Sequence, residues 1–440
     1  MNTKLGRWAC AWGVISLAAI ASGADWPAWR GDAARSGVCA ERLPAELHLR
    51  WVRTLPSPRP AWPNESRLHF DAAHEPVILG KTLFLASAKD STLTAFRTDT
   101  GERIWTFCAD GPVRVAPVAW DGRVCFGCDD GYLYCVSAAE GKLLWKVRGA
   151  PESRPHRRHL GNGRLVSYWP VRGGPVLADG TIYFGAGVWP TLGVYVVAVE
   201  AQTGKLVWRN SEAQFIEKVR VDHNELFDTG LSPQGHLAVA GNLLIVPNGR
   251  SMPAVMDRRT GKVLRYLQGY RHGHCRVVTA DKVAFVGPDG AIDLATGREV
   301  GSRWAELGKD APARFDIKKF SFFESPIFPY KKQPGISAWS AVDKGVVYGS
   351  QRGTLYAYDL ERPKFREYET KLYGQINARP RQWDLPELWT LSAGQAKGRS
   401  APELVIKAGD RLYGQVGSSL VGVDLPAKDD KPRVVWQHDL

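Results

Sequence analysis

The chain has 440 residues, with 45 Gly, 28 Pro, 17 Trp and a formal net charge of +13. Apolar residues are common and low-complexity tracts are absent, which excludes a disordered or fibrous chain. The positive charge favours contact with polyanions such as cell-wall polymers or anionic lipid surfaces, and the lack of any nucleic-acid-binding motif argues against nucleic acid as a partner.

Residues 1–24 read as a secretory signal. Lys4 and Arg7 give a basic start, Trp8 to Ala21 an apolar run, and Ser22-Gly23-Ala24 small residues for cleavage. The run is too short for a transmembrane helix. An exported protein in the periplasm or outside the cell is therefore expected, with residues 25–48 as an N-terminal extension and 49–440 as the folded body.

One phrase then recurs: a short apolar strand, a Gly-containing turn, a second strand, and a Gly followed four residues later by Trp. Its clearest copies pair Gly101 with Trp105, Gly141 with Trp145 and Gly204 with Trp208. A period of roughly 40–60 residues with several strands per copy predicts an all-β propeller of four-stranded antiparallel blades. The inner strand of each unit is expected to begin near Pro, as at Glu75-Pro76-Val77, Ala116-Pro117-Val118 and Gly174-Pro175-Val176. The second strand is apolar, the third alternates, and the outer one carries the Trp. A large indole there would fill the widening gap at the rim, with the preceding Gly letting the turn close beneath it. Gly261 keeps the turn in the fourth unit, but Arg265 stands where Trp is expected. The fifth, Val283 to Trp304, is compressed, and the sixth has Leu360-Glu361-Arg362-Pro363 in place of Thr-Gly. Insertions at Gln214–Pro233, Ala305–Gly335 and Phe365–Arg399 are the expected sites of partner-specific surface.

Seven units are visible, the last ending at Trp436, and Leu49 to Arg53 reads as a spare outer strand around Trp51. Either seven blades close with that strand left over, or an eighth lies beyond Leu440. The unmatched strand favours the second.

These phrases resemble the pyrroloquinoline quinone (PQQ) repeat, over nearly all of the chain after residue 48, and Asp25-Trp26-Pro27-Ala28-Trp29-Arg30-Gly31-Asp32 is similar to the mature start of exported PQQ-like propeller proteins of environmental bacteria. The resemblance implies the fold, with Gly101, Trp105, Gly141, Trp145, Gly204, Trp208, Gly261 and Trp436 as blade-docking residues. It does not by itself imply one activity. In the quinoprotein alcohol dehydrogenases that share the repeat, PQQ lies between a Trp floor and a disulfide of adjacent Cys. Calcium is bound there by Glu, Asn and Asp, and an Asp acts as base. This chain has no adjacent Cys pair, no matching calcium triad and no Cys-x-x-Cys-His haem site.

Cys125 and Cys135 fall opposite each other if Asp129-Asp130-Gly131 forms a three-residue turn, so a cross-strand disulfide and simple packing are both open. Arg154, His156, Arg157, Arg158, His159 and Arg164 could hold an anion or be a solvated charge run. Asp222-His223-Asn224-Glu225 and His272-Gly273-His274-Cys275 gather ligand-type side chains without a known metal spacing. With no hydrolase or nucleotide motif, the expectation is a non-catalytic binding or scaffolding module for a protein, glycan or small ligand, without a cofactor. The alternative is a PQQ-dependent oxidoreductase using PQQ with calcium.

Overall fold

In blade 2 the alternation of side chains does the work that a single buried face does elsewhere. Val124 and Phe126 turn toward blade 1 and pack with Phe84 and Leu93, while Cys125 turns the other way, toward Ile182 and Phe184 of blade 3. A sheet buried on both faces needs apolar residues at consecutive positions, hence the continuous runs in the sequence.

A computed structural model describes residues 24–440 apart from 45, 66–67, 162, 215, 221–225, 250, 267–273, 288–289, 296–335, 352–353, 368–369, 373–375, 379–380, 392–402, 417, 427–430 and 440. Among these, seven successive antiparallel sheets are the blades of a β-propeller. Blade 1 is Val77–Leu79, Thr82–Ser87, Thr92–Arg97 and Arg103–Cys108. Blade 2 is Val118–Trp120, Arg123–Gly127, Tyr132–Ser137 and Leu143–Arg148. Blade 3 is Val171–Ala178, Thr181–Ala186, Tyr195–Glu200 and Leu206–Asn210. Blade 4 is Ala238–Ala240, Leu243–Asn248, Ser251–Asp257 and Val263–Tyr266. Blade 5 has three described strands, Val277–Ala280, Val283–Val286 and Gly290–Asp293. Blade 6 is Ala341–Asp343, Val346–Gln351, Thr354–Asp359 and Glu387–Leu391, and blade 7 is Glu403–Ala408, Arg411–Val416, Ser419–Asp424 and Arg433–Asp439.

Two elements differ from the sequence reading. The inner strand of blade 3 starts at Val171 rather than at Pro175, and its pairing shifts register between Gly173 and Val176 because Pro175 has no N–H to give the ladder. The outer strand of blade 6 is not next to the Leu360–Pro363 turn. Lys364–Glu367 pairs with Arg381–Asp384 and Thr370–Leu372 with Ile376–Ala378 before the chain returns as Glu387–Leu391. Trp389 then lies opposite Ala357, as Trp105 lies opposite Ala95, Trp145 opposite Cys135, Trp208 opposite Ala198 and Trp436 opposite Gly422. A small partner across the ladder leaves room for the indole to lie along the sheet.

The indoles reach forward rather than resting on their own turns. A Cβ on Gly141 would meet the Trp105 ring at 2.7 Å, one on Gly204 would meet Trp145 at 2.7 Å, and one on Gly261 would meet Trp208 at 2.5 Å. Each glycine belongs to the blade after the tryptophan and has φ near +70°. The indole N–H of Trp105 donates to the Ala138 carbonyl at 3.0 Å and that of Trp208 to the Arg258 carbonyl at 3.0 Å, so these two links also cross to the following blade, while the Trp145 N–H is buried without a partner among the described residues. Trp51 makes the same contact on Gly101, with its N–H on the Thr98 carbonyl at 3.0 Å, although residues 49–53 pair with no described strand. Trp436 stacks instead on His438, with ring centroids 6.1 Å apart.

Residues 26–39 thread along the inner strands. Trp26 pairs with Ile78 of blade 1, and the Ala119 N–H of blade 2 donates to the Pro27 carbonyl. Arg35, 1% exposed, donates to the Pro175 and Leu237 carbonyls of blades 3 and 4. The N–H groups of Val239, Thr279, Val342 and Lys407 donate in turn to the carbonyls of Ala33, Ala34, Ser36 and Gly37. The thread ends as Val38–Cys39, parallel to the inner strand of blade 7.

Gly141→Ala is expected to cost about 1–3 kcal/mol, because the methyl group must displace the Trp105 ring and the backbone is left-handed there. Urea denaturation of the purified variant measures it, and an unchanged midpoint would show that the contact gives way freely.

Candidate functional site

Six apolar cores join blades 1 to 2, 2 to 3, 3 to 4, 4 to 5, 5 to 6 and 6 to 7. Among the described residues no such core joins blade 7 to blade 1. A cleft of about 880 Å³ opens there instead, between Ile78 of blade 1 and Ile406 and Gln415 of blade 7, with the thread along one wall. A concavity of this size with an apolar lining and few polar groups is where a ligand is to be sought.

Its aromatic wall is assembled from distant parts of the chain. Trp339, 43% exposed, presents its indole to the cleft. The Arg276 guanidinium sits 4.2 Å from the Trp339 ring centroid, a cation–π stack that fixes the plate. Arg276 also donates to the His69 carbonyl at 2.9 Å, while its Nε is buried without a hydrogen-bond partner. Trp29 lies edge-on to Trp339 with centroids 6.4 Å apart, and stacks on His236 at 4.2 Å with the planes 7° apart. His236 Nε2 is 2.7 Å from Glu75 Oε2. Burial holds the His236 imidazole below its ordinary pKa, with Glu75 opposing and Arg35 and Arg276 adding to the fall. The ring is therefore neutral at neutral pH, and its Nε2–H faces the Glu75 carboxyl.

A second polar cluster is closed. Asp129 accepts two bonds from Arg172, at 2.8 and 2.9 Å, and one from Arg114 at 2.6 Å, and Arg114 also bonds Asp71 at 2.7 Å. All four residues are buried. Burial alone would push the Asp129 carboxyl up, but Arg172 and Arg114 hold it below the usual carboxylate range. At Asp71 burial prevails over Arg114 and the carboxyl is raised. Trp62 covers Arg172, with 5.9 Å from guanidinium to ring centroid, and donates to Gln234 at 2.6 Å. Two guanidiniums face two carboxylates; Asp129 is bonded at both oxygens, while Asp71 keeps its buried Oδ1 without a hydrogen-bond partner among the described residues. The sequence reading took Asp129 for a turn residue only.

The other candidates are placed as follows. Cys125 and Cys135 are Cα partners in blade 2, fully buried, with free thiols. Burial, with each thiol against the other, pushes the Cys125 pKa well up. Cys135 is also the small residue opposite Trp145. Arg158–Gly161 and Arg164–Ser167 form an exposed hairpin. Arg154 reaches the Tyr195 hydroxyl at 3.1 Å, Arg164 the Lys89 carbonyl, and the rings of His156 and His159 contact Tyr132 and Tyr168. Asp222–Glu225, His272 and Trp304 lie outside the described residues. His274 turns its Nδ1 to the Arg276 N–H at 3.2 Å. Among the described residues no three His, Cys, Asp or Glu side chains converge as a metal site, and no helix is long and apolar enough to cross a membrane.

The family model described as outer membrane protein assembly factor BamB, a PQQ-repeat model, matches residues 28–166 and 129–365, and the chain belongs to that family. It is 33% identical over 148 residues to the dehydrogenase subunit of a quinone alcohol dehydrogenase of Gluconobacter oxydans (strain 621H), a match covering 30% of this chain and 18% of the relative. A quinohemoprotein alcohol dehydrogenase of Comamonas testosteroni is 29% identical over 147 residues, covering 30% of this chain and 19% of the relative. The match thus spans less than a fifth of these relatives' own length. Among solved structures, the fold is similar to that quinohemoprotein alcohol dehydrogenase of Comamonas testosteroni, with a TM-score of 0.54 at 14% identity over 94% of this chain and 73% of that one. It is also similar to a europium-containing methanol dehydrogenase, with a TM-score of 0.52 at 14% identity over 94% and 85% of the two chains. These relatives correct two expectations. Where a non-catalytic binding or scaffolding module was expected, these relatives are named alcohol dehydrogenases, and where no cofactor was expected, they are named for a quinone.

Asp129→Asn is expected to destabilise the fold by about 3–5 kcal/mol, since it leaves two buried guanidiniums with one carboxylate. The lowered carboxyl gives stability that is present above the ordinary carboxylate range and lost as pH falls through the folded-state value, so the variant's urea midpoint should fall less steeply in acid. The two buried thiols should resist alkylation in the native protein and react once it is denatured without reductant; a mass 2 Da short with no reaction, about two hydrogens lost, would mean a disulfide instead.

Proposed function

We propose that the chain is an exported quinoprotein-type oxidoreductase that binds PQQ in the cleft between blades 7 and 1 and oxidises an alcohol there. The observation that carries the reading is the half-exposed indole of Trp339, held flat by Arg276 at 4.2 Å in a cleft of about 880 Å³. That plate answers to the Trp floor of the quinoprotein dehydrogenases, and the named relatives support the same chemistry.

The Trp339 plate would suit a planar ring, but the rest of the lining does not match the dehydrogenase apparatus: Glu41 and Glu75 face the cleft, and its Arg30 guanidinium is bonded to the Arg35 and Ser340 carbonyls. A planar tricarboxylate would lie on Trp339, with the buried Arg276 cation behind the plate and Ser337 and Gln351 among the polar groups of the cleft. The unpartnered Arg276 Nε marks donor capacity that nothing in the described residues uses. The adjacent-Cys disulfide is missing from the sequence, and the calcium ligands have no converged counterpart among the described residues. When bound, PQQ supplies a two-electron acceptor. The protein contributes an apolar plate that excludes water from one face and a cation that offsets the cofactor's negative charge.

The test is to incubate the purified protein with PQQ, with and without Ca²⁺, remove free cofactor, and measure retained quinone absorbance and alcohol-dependent dye reduction. Wild type is expected to retain the quinone and reduce dye, and Trp339→Ala to weaken retention about tenfold or more, roughly the 1–3 kcal/mol of a lost stacking plate. No retained quinone in wild type would end the proposal.

A further inference from the structure

We propose that the hairpin of Arg158–Gly161 and Arg164–Ser167 is a docking surface that sets the protein on an anionic lipid bilayer, with Leu160 and Leu165 entering the headgroup layer. This surface lies apart from the cleft and does not depend on what the cleft binds.

Register puts the two leucines side by side. Leu160 and Leu165 are Cα partners, so their side chains leave the ribbon on one face. Val166 and its partner His159 take the other face, where Val166 is buried and the His159 ring meets Tyr168. The alternation that buries Val166 leaves Leu160 72% and Leu165 60% exposed. Ile104, Leu264 and Leu388 of the outer strands are also exposed, but they stand one to a blade around the rim. At the hairpin the apolar groups converge. Trp169 donates its indole N–H to the Leu192 carbonyl at 3.0 Å, which ties the hairpin's base to a turn where Trp189 is 52% and Leu192 36% exposed. Because Val171 pairs with Ala186, that turn and the hairpin leave blade 3 at the same end.

The surround is cationic. From Ser153 to Ala178 the sequence has no Asp or Glu, while Arg157 and Arg158 stand exposed at the hairpin's entry. Arg59, from before blade 1, reaches the hairpin's turn, where a Cβ on Gly163 would lie 3.4 Å from its guanidinium. Arg164 donates to the Lys89 carbonyl and so brings the exposed Lys89 of blade 1 alongside. The carboxylates that border this patch are turned to other groups: Glu152 lies 3.9 Å from Arg148, and Asp90 accepts from the Ser87 hydroxyl at 3.0 Å.

Two needs single out the occupant. The guanidiniums call for an anion, and the leucines gain only on a surface that takes them out of water. A soluble polyanion meets the first need and not the second. A second copy docked about a twofold axis would set these cations against themselves. A bilayer with anionic headgroups meets both, with the cations at the phosphates, the leucines at the acyl boundary and Trp189 at headgroup level. The mount is firm enough for the hairpin to enter as a unit. The Ser167 N–H donates to the Asp129 carbonyl at 2.7 Å, and His156 stacks on Tyr132 with centroids 6.3 Å apart.

Vesicle sedimentation of the purified protein tests the proposal. Wild type is expected to bind mixed phosphatidylglycerol–phosphatidylcholine vesicles about 30-fold more tightly than phosphatidylcholine alone, and to lose most of that margin in about 0.5 M NaCl. Leu160→Ser with Leu165→Ser should weaken binding to the anionic vesicles about tenfold, at an unchanged urea midpoint. Arg157→Gln with Arg158→Gln should weaken it about tenfold or more, and Lys at the same two positions should restore it. Amide exchange at Leu160 and Leu165 should slow when anionic vesicles are added. Binding that ignores the leucine pair, or that is as tight on neutral vesicles, overturns the proposal. So does a wild type that leaves vesicles alone and instead self-associates, or holds polyaspartate, through this hairpin.

Discussion

The inner strand of each blade has an edge whose amides need partners; the thread of residues 26–39 supplies them at the other blades, and Gly235–His236 does so at blade 3. An unpaired buried N–H costs about as much as a lost hydrogen bond, so a ring of blades around an open axis would leave a collar of such costs. The thread spreads its carbonyls among the blades, and Arg35 takes up the carbonyls that remain at blades 3 and 4. The same segment places Trp29 beside His236 and Trp26 at the cleft. Architecture and candidate chemistry thus share one stretch of chain, and the strained residues in it, Arg30 and Arg35 with positive φ, sit where it turns from blade to blade.

The cores between blades and the cleft are two outcomes of one packing rule. Where neighbouring sheets meet through alternating apolar residues, they exclude solvent and ligand alike. Blades 7 and 1 lack that seam among the described residues, and the space is walled instead by indoles and by apolar side chains such as Ile78 and Ile406 that do not meet across it. A pocket at a seam between repeats is cheap to make in this fold, because it removes a single interface and leaves the others intact.

How much of this could be read from sequence depends on how local the signal was. The glycines and tryptophans stand out in the sequence because they recur at one spacing within a unit, though which glycine an indole meets, one blade further on for Trp105, Trp145 and Trp208, is a tertiary fact that spacing does not carry. The outer strand of blade 6 was hidden because two hairpins stand between its Trp389 and the turn that precedes them. Trp29 and Glu75 lay in quoted phrases, but as family opening and strand start. Their meeting with His236, Arg276 and Trp339 joins five separate stretches, and no local pattern brings them together. Asp129 was visible as a hairpin residue. Its pairing with Arg172 could not be seen, because opposite charges in separate blades have no fixed sequence interval.

The order of the thread's bonds has a kinetic consequence. Its residues meet partners in blade after blade, from Ile78 to Gly409, so nearly the whole polypeptide must be synthesised before the last of them can close. Such widely separated pairings give the molecule a high contact order, and domains of that kind fold slowly because loop entropy is lost before the contacts that repay it are made. Until then the inner strands expose pairing edges and the future cleft gapes. The nascent chain would pass a long interval in which it is open to capture by chaperones or by its own copies.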